Sequence, residues 1–379
     1  MPLAHPRLSH LRRGLCVAAL AASAVLASCS TGPSKAEIEA ARIAAEAEAL
    51  ARIPPPVALN DSVAEAASVY VSFMRDVGTI QGGFPDAESI QAAMRKGAAY
   101  DPAQLSRGMI AYASILALQS PEFVAGVRTY STDPVQRRQM VAAIVADPRY
   151  AATLPGADAA AGIIVATLGQ DINAMTVIAD AVEGDAYTIQ ERNDPRRRWA
   201  VAHIADRETR LESAKSISAG QMLPSAAEAA QLFAAANAGT GLNVTPGRQA
   251  PPYTPAIVNA LAIAALASLG AAGDEARANT DALQIDSNNE FCLSMSKLNL
   301  FQCLAASRPS YEDMFCVGRH IVRDLATCAV GATRVAINTV SAPEDTTGQP
   351  SATPVAVAVP SPAIATTATL NQTPVTPRN

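Results

Sequence analysis

The sequence predicts an all-α protein, an irregular multi-helix bundle with a C-terminal disulfide-linked αα-hairpin and a disordered tail. Composition is the first reason. Of 379 residues 49% are hydrophobic and only 4% aromatic, with alanine the largest contributor. Alanine is the best helix former, whereas strands favour β-branched and aromatic residues. The second reason is a set of repeated helix-start signals, and the third is a group of cysteines at helical spacing. The length gives a soft prior of two domains at about 150 residues each, enough chain for a core. A net charge of -5 argues against a nucleic-acid partner.

The chain opens on a processing signal, residues 1–28. Arg7, Arg12 and Arg13 form a positive start, and Gly14 to Ser28 is a run of 15 apolar and small residues. That run is shorter than the roughly 20 apolar residues a bilayer span needs. A retained signal anchor is the alternative. Leu26-Ala27-Ser28-Cys29 resembles the lipobox of bacterial lipoproteins. The resemblance implies cleavage before Cys29, diacylglycerol on its thiol and an acylated amino group. Cys29 is then the lipid-attachment residue, palmitate is an expected modification, and the membrane is a partner. Two or three acyl chains anchor stably where one does not. Ser30 stands where an Asp would resemble the inner-membrane retention signal, so the implied destination is the periplasmic side of the outer membrane. Losing three arginines and no acid takes the net charge of the mature chain from -5 to -8.

Residues 29–56 are predicted to be a lipid tether and an exposed helix. Ser34-Lys35-Ala36-Glu37 has the form of a capping box. The helix then runs to about Ile53, with Arg42/Glu46 and Glu48/Arg52 spaced i,i+4. Its larger apolar residues are only Ile38, Ile43, Leu50 and Ile53, a stripe that suits a stalk. Pro54-Pro55-Pro56 stops it.

Residues 57–340 are the predicted α-helical body. Asp101-Pro102, Ser120-Pro121, Asp133-Pro134, Asp147-Pro148, Asp194-Pro195 and Thr254-Pro255 each place an N-cap oxygen before a proline suited to the first helical position. Their irregular intervals support no repeat architecture. Ile110, Ile115, Leu116 and Leu118, then Val141, Ile144 and Val145, are expected on core faces. Ala159 to Leu168 and Ala256 to Gly270 are apolar nearly all round, as buried helices are. The Gly- and Pro-rich stretch 237–255 is a soft subdomain boundary, with one continuous domain as the alternative. Residues 341–379 hold seven prolines, eight threonines and three charged side chains, a composition that favours a disordered tail. It is either a solvated end or a spacer or docking strand.

Cys292, Cys303, Cys316 and Cys328 are the most informative group in the body. Cys292 and Cys303, 11 residues apart, fall about 20° from the same helix face. Cys316 and Cys328 are 12 apart, a looser match. Ser307-Arg308-Pro309-Ser310 between them signals a turn, and both the outer and inner pairs are centred on it. An antiparallel hairpin then sets Cys292 against Cys328 and Cys303 against Cys316. The layout resembles, in geometry, the twin-cysteine helical hairpins of the mitochondrial intermembrane space. Zinc is the competing reading, but the short ligand spacing of structural sites is missing. No metal site and no cofactor are expected.

Catalytic motifs are scarce: the chain holds no H-E-x-x-H, G-x-S-x-G or phosphate-loop pattern. His203 and His320 are the histidines of the mature chain, and His320 is expected to pack or lie at the surface. Glu212-Ser213-Ala214 and Gly220-Gln221-Met222-Leu223-Pro224 faintly resemble the motifs of lytic transglycosylases, which implies Glu212 as general acid. Arg196, Arg197 and Arg198, beside Trp199, together with Arg207 and Arg210 are the densest positive patch. They are a candidate docking site for an envelope protein or an anionic cell-wall polymer. Asp194, Asp206, Glu208 and Glu212 among them also allow a salt-bridged exposed helix. The expected function is a lipid-anchored, non-catalytic scaffold or accessory subunit of the cell envelope, with a peptidoglycan-cleaving enzyme as the alternative.

Overall fold

Where a capping residue precedes a proline, local chemistry sets the helix start. The computed structural model describes residues 34–191, 195–239 and 241–334. Asp101 accepts from the Gln104 amide at 2.8 Å, Ser120 from Phe123 at 3.3 Å and Thr254 from Ile257 at 3.3 Å. Asp133 accepts from both Val135 and Gln136. Asp147 also caps, through the Arg149 amide, but Pro148–Thr153 is a 3-10 turn in place of the predicted α-helix. Asp194, the signal 1–28, Cys29 and the tail 341–379 lie outside the described residues.

The longer helices are α1 (Lys35–Ala51), α2 (Asp61–Val77), α3 (Ala87–Ala98), α4 (Pro102–Leu118), α5 (Pro121–Arg128), α6 (Pro134–Ala146) and α7 (Ala157–Glu191). They continue as α8 (Arg207–Ser218), α9 (Ala226–Ala238), α10 (Pro255–Ser268), α11 (Ser287–Ala306), α12 (Ser310–Val317) and α13 (Asp324–Thr333). The fold is all-α, and no strand occurs among the described residues. Helix α10 is the central helix: Leu261 to Ala267 are fully buried, packed against α4, α5, α7 and the 148–153 turn. Ile110, Ile115, Leu116, Leu118 and Ile144 are buried as expected. Val141 is half-buried against the core, but Val145 is 47% exposed, because the face α6 turns inward carries Met140, Val141 and Ile144.

Few aromatic rings are available, so small residues let the helices approach. Helix α2 lies along α4 at Gly108, where an added Cβ would meet the Ala66 carbonyl at 2.5 Å and the Tyr70 Cβ at 2.8 Å. Helix α7, 35 residues long, is the spine of the body. It is long and apolar enough to cross a bilayer, yet 50% of its most apolar window is buried inside the body, as in a core helix. Helix α1 is different. It buries no residue, and it is held by its capping box and by Arg42–Glu46 (2.5 Å) and Arg52–Glu48 (2.7 Å) pairs. Pro55 fastens its end to the body by accepting from Arg128 Nη1 at 2.9 Å.

The stretch 241–254 carries no helix, but it does not divide the body, which continues through it as one compact unit. It lies on α7 at Gly162, where an added Cβ would run into the Gly247 carbonyl. The Gln249 amide donates to the Asp158 carbonyl at 3.0 Å, and Arg248 bridges Asp158 and Glu122 at 2.6 Å each. A loop pinned by backbone and charge on both sides acts as part of the packing, not as a hinge.

Both predicted disulfides are present, Cys292–Cys328 and Cys303–Cys316, with Cα separations of 5.6 and 5.7 Å. They join α11 to the arm formed by α12, a π turn at Gly318–Arg323, and α13. The π turn explains how a 12-residue spacing works. Twelve α-helical steps would leave Cys328 about 120° round from Cys316. A π turn takes up one extra residue, so the net rotation falls back to that of eleven steps, about 20°. Arg323, leaving that turn, binds Glu183 and Asp180 of α7 at 2.6 Å each, and these partners raise its pKa above the ordinary arginine value.

Candidate functional site

The structure separates the predicted arginine patch into two parts. Arg196 and Arg198 are exposed; Arg197 pairs with Asp185 of α7. With Trp199, half-buried, Arg196 and Arg197 line a shallow cleft of about 500 Å³. Arg207 and Arg210 do not belong to an open patch. Arg207 caps the C-terminus of α11, donating to Ser307 at 2.7 Å and Ala305 at 2.6 Å. Arg210, 7% exposed, is buried against Asp313 with Nη1 at 2.5 and 2.6 Å from its two oxygens. Segment 202–210 is thus the seat of the hairpin turn, reinforced by backbone bonds from Ile204 to Arg308 and from Ser310 to Ala202. Charged neighbours in sequence suggest one surface, but partners elsewhere in the fold claim Arg197, Arg207 and Arg210.

Glu212 has the surroundings of a surface residue. It is exposed on α8 and paired with Lys215 at 2.7 Å. A general acid works in apolar surroundings with a second carboxylate across the bond to be cleaved, whereas the Glu212 side chain is 68% exposed to solvent. His320 meets Asp324 at 3.1 Å and the edge of Phe315, a packing arrangement within the hairpin.

The most chemically distinctive cavity was not foreseen. Helices α2 and α7 both pack on α4 and leave between them a cleft of about 380 Å³. From α2 come Tyr70, Met74 and Arg75; from α4 comes Tyr112. From α7 come Asp171, Ala174, Met175 and Ile178, the i, i+3, i+4 and i+7 positions of one helix face. The rings of Tyr70 and Tyr112 have centroids 5.9 Å apart and are inclined at 30°. Gly108 sets that spacing by letting the Tyr70 backbone come up to α4. Arg75 is already paired with Glu228 of α9. Asp171 receives no hydrogen bond and no ion pair among the described residues.

Electrostatics follows from that arrangement. Burial raises the Asp171 pKa above the ordinary carboxylate value, and the Arg75 charge offsets only part of the effect. Burial also pushes Tyr112 up to about 12, with the Asp171 charge adding to it, and raises Tyr70 by the same causes. Both phenols therefore stay protonated at neutral pH. A measurable consequence concerns stability. The folded state holds the Asp171 proton more tightly than the unfolded chain does, so its stabilising effect is complete in acid and is lost as pH rises through the folded pKa. Asp171→Asn is therefore expected to raise the melting temperature at pH 7. The gain should vanish below the unfolded carboxylate pKa of about 3.9. Thermal melts from pH 3 to 8 check this; a lower melting temperature at pH 7 would contradict it.

Compared with known proteins, the chain matches no family model, no curated protein sequence and no solved structure. Among the described residues no cluster of three or more His, Cys, Asp or Glu side chains is placed to hold a metal ion. The four body cysteines are committed to disulfides. Such bonds belong to an oxidising, extracytoplasmic compartment.

Proposed function

We propose that the chain is a lipid-anchored cell-envelope protein, a non-catalytic scaffold or accessory subunit on the periplasmic side of the outer membrane. The observation that carries this reading is α1. It is a self-capped helix with no buried residue, standing between the lipobox cysteine and the body. A helix that buries nothing contributes little to the core, but as a spacer its 17 residues span about 25 Å at 1.5 Å each. The disulfides support the same compartment, and Pro55 holds the body end of the spacer. The exposed, ion-paired state of Glu212 favours a scaffold over the peptidoglycan-cleaving alternative.

Cys29→Ala is expected to abolish metabolic labelling with palmitate and to move the protein from the membrane to the soluble fraction. Its melting temperature should be unchanged, because Cys29 precedes a helix that buries nothing. A variant that still labels and sediments with membranes would overturn the anchor. For the scaffold role, crosslinking of the lipid-anchored protein in intact cells should capture an envelope protein or wall polymer through the Arg196–Arg198 surface. Release of muropeptides by the parent but not by Glu212→Gln would instead favour the enzyme.

A further inference from the structure

We propose that the cleft between α2 and α7 is a binding site for a small organic ammonium ion, its cationic head on the Asp171 carboxylate and beside the Tyr112 ring. The charge inventory decides the sign of the ligand. Arg75 is the one cation lining the cleft, and Glu228 already pairs with it. The under-compensated group is Asp171: the Arg75 charge offsets only part of its burial, and it accepts no hydrogen bond among the described residues. A half-buried carboxylate left without a partner opposes folding, and a bound cation removes that penalty.

The walls describe the rest of the ligand. Tyrosine faces attract cations, most strongly where water is displaced. Met74 and Met175 add adaptable thioether surface for a short hydrocarbon part. A volume of about 380 Å³ is at the small end for ligand pockets, which suits a small molecule and not a polymer. A single lining carboxylate is too poor a donor set for a metal ion. Behind the cleft, Tyr70 and Met74 also wall a slot of about 20 Å³ lined by Asn289, whose buried Oδ1 has no hydrogen-bond partner. The unmet needs on this side of the body are both for donors, which an alkylammonium group supplies and a carboxylate ligand does not.

The site is independent of the lipid anchor, so its failure leaves the envelope reading intact. The test is titration calorimetry on the full-length protein in a neutral detergent, with n-butylammonium and choline as probes and n-butanol and butyrate as controls. Saturable one-to-one binding of an ammonium probe, at least tenfold tighter than either control, is the expected result. Asp171→Asn should weaken it at least tenfold. Ala174→Arg, which places a guanidinium on the exposed α7 face of the cleft without altering Asp171, should do the same. Absence of saturable binding by both ammonium probes, controls that bind within tenfold, or an Asp171→Asn loss smaller than tenfold would each overturn the assignment.

Discussion

Arg210→Ala is expected to destabilise the protein by about 3–5 kcal/mol, the range for removing one partner of a buried ion pair. The side chains of Arg210 and Asp313 are 4% and 0% exposed, so solvent does little to screen them. The arginine also donates to the Leu304 carbonyl at the end of α11, while Ser307 and Gln91 donate to the carboxylate at 2.6 and 3.0 Å. Without Arg210 the carboxylate keeps those two neutral donors and loses the one countercharge it has among the described residues. Burial already raises the Asp313 pKa, with Ser307, Arg210 and Gln91 each lowering it in part. Truncation therefore raises it further, and the variant's deficit should shrink as pH falls and Asp313 takes up a proton. Urea unfolding at pH 7 and pH 5 reads both effects. A loss below about 1 kcal/mol at pH 7, or a deficit that grows in acid, would contradict this account. Arg210→Met combined with Asp313→Leu should recover much of the loss, since an apolar pair needs no countercharge.

The same ion pair shows what sequence can and cannot disclose. Helix starts are local: an Asp, Ser or Thr before proline determines its own cap, and the caps at Asp101, Ser120, Asp133 and Thr254 were all legible. The disulfide pairing was legible too, because symmetry about a turn is a property of sequence separation. The π turn was not, although the odd 12-residue spacing of Cys316 and Cys328 is its trace. Arg210 lies 103 residues from Asp313, and nothing near it distinguishes a buried guanidinium from a solvated one. The cleft is an intermediate case. Tyr70, Tyr112 and Asp171 come from three helices, and only packing brings them together. One signal was nonetheless present: Asp171 is the only charged residue between Ala159 and Ala179, a lone carboxylate on an otherwise apolar helix. A charge in such a run calls for a partner or a site, and among the described residues Asp171 has the nearby Arg75 charge but no hydrogen bond and no ion pair.

Removing the outer disulfide by Cys292→Ala with Cys328→Ala is expected to cost roughly 3–4 kcal/mol. The bond closes a loop of 36 residues, for which chain-entropy scaling gives just under about 4 kcal/mol. The inner bond, across 13 residues, already shortens the freed loop, which lowers the figure slightly. The inner bond alone corresponds to roughly 3 kcal/mol. These are large effects for this chain because only 4% of its residues are aromatic, so little ring packing holds the arms together. Position adds to the consequence: Arg323 ties the π turn to α7, and Arg207 and Arg210 tie the hairpin turn to α8. Loosening the hairpin therefore releases contacts on two sides of the body. In denaturant unfolding the variant should lose midpoint concentration with a nearly unchanged slope, and reduction of the parent should move its midpoint at least as far. A midpoint within error of the parent's would mean that the unfolded chain already holds α11 near α13, and that the bond constrains nothing folding must otherwise order.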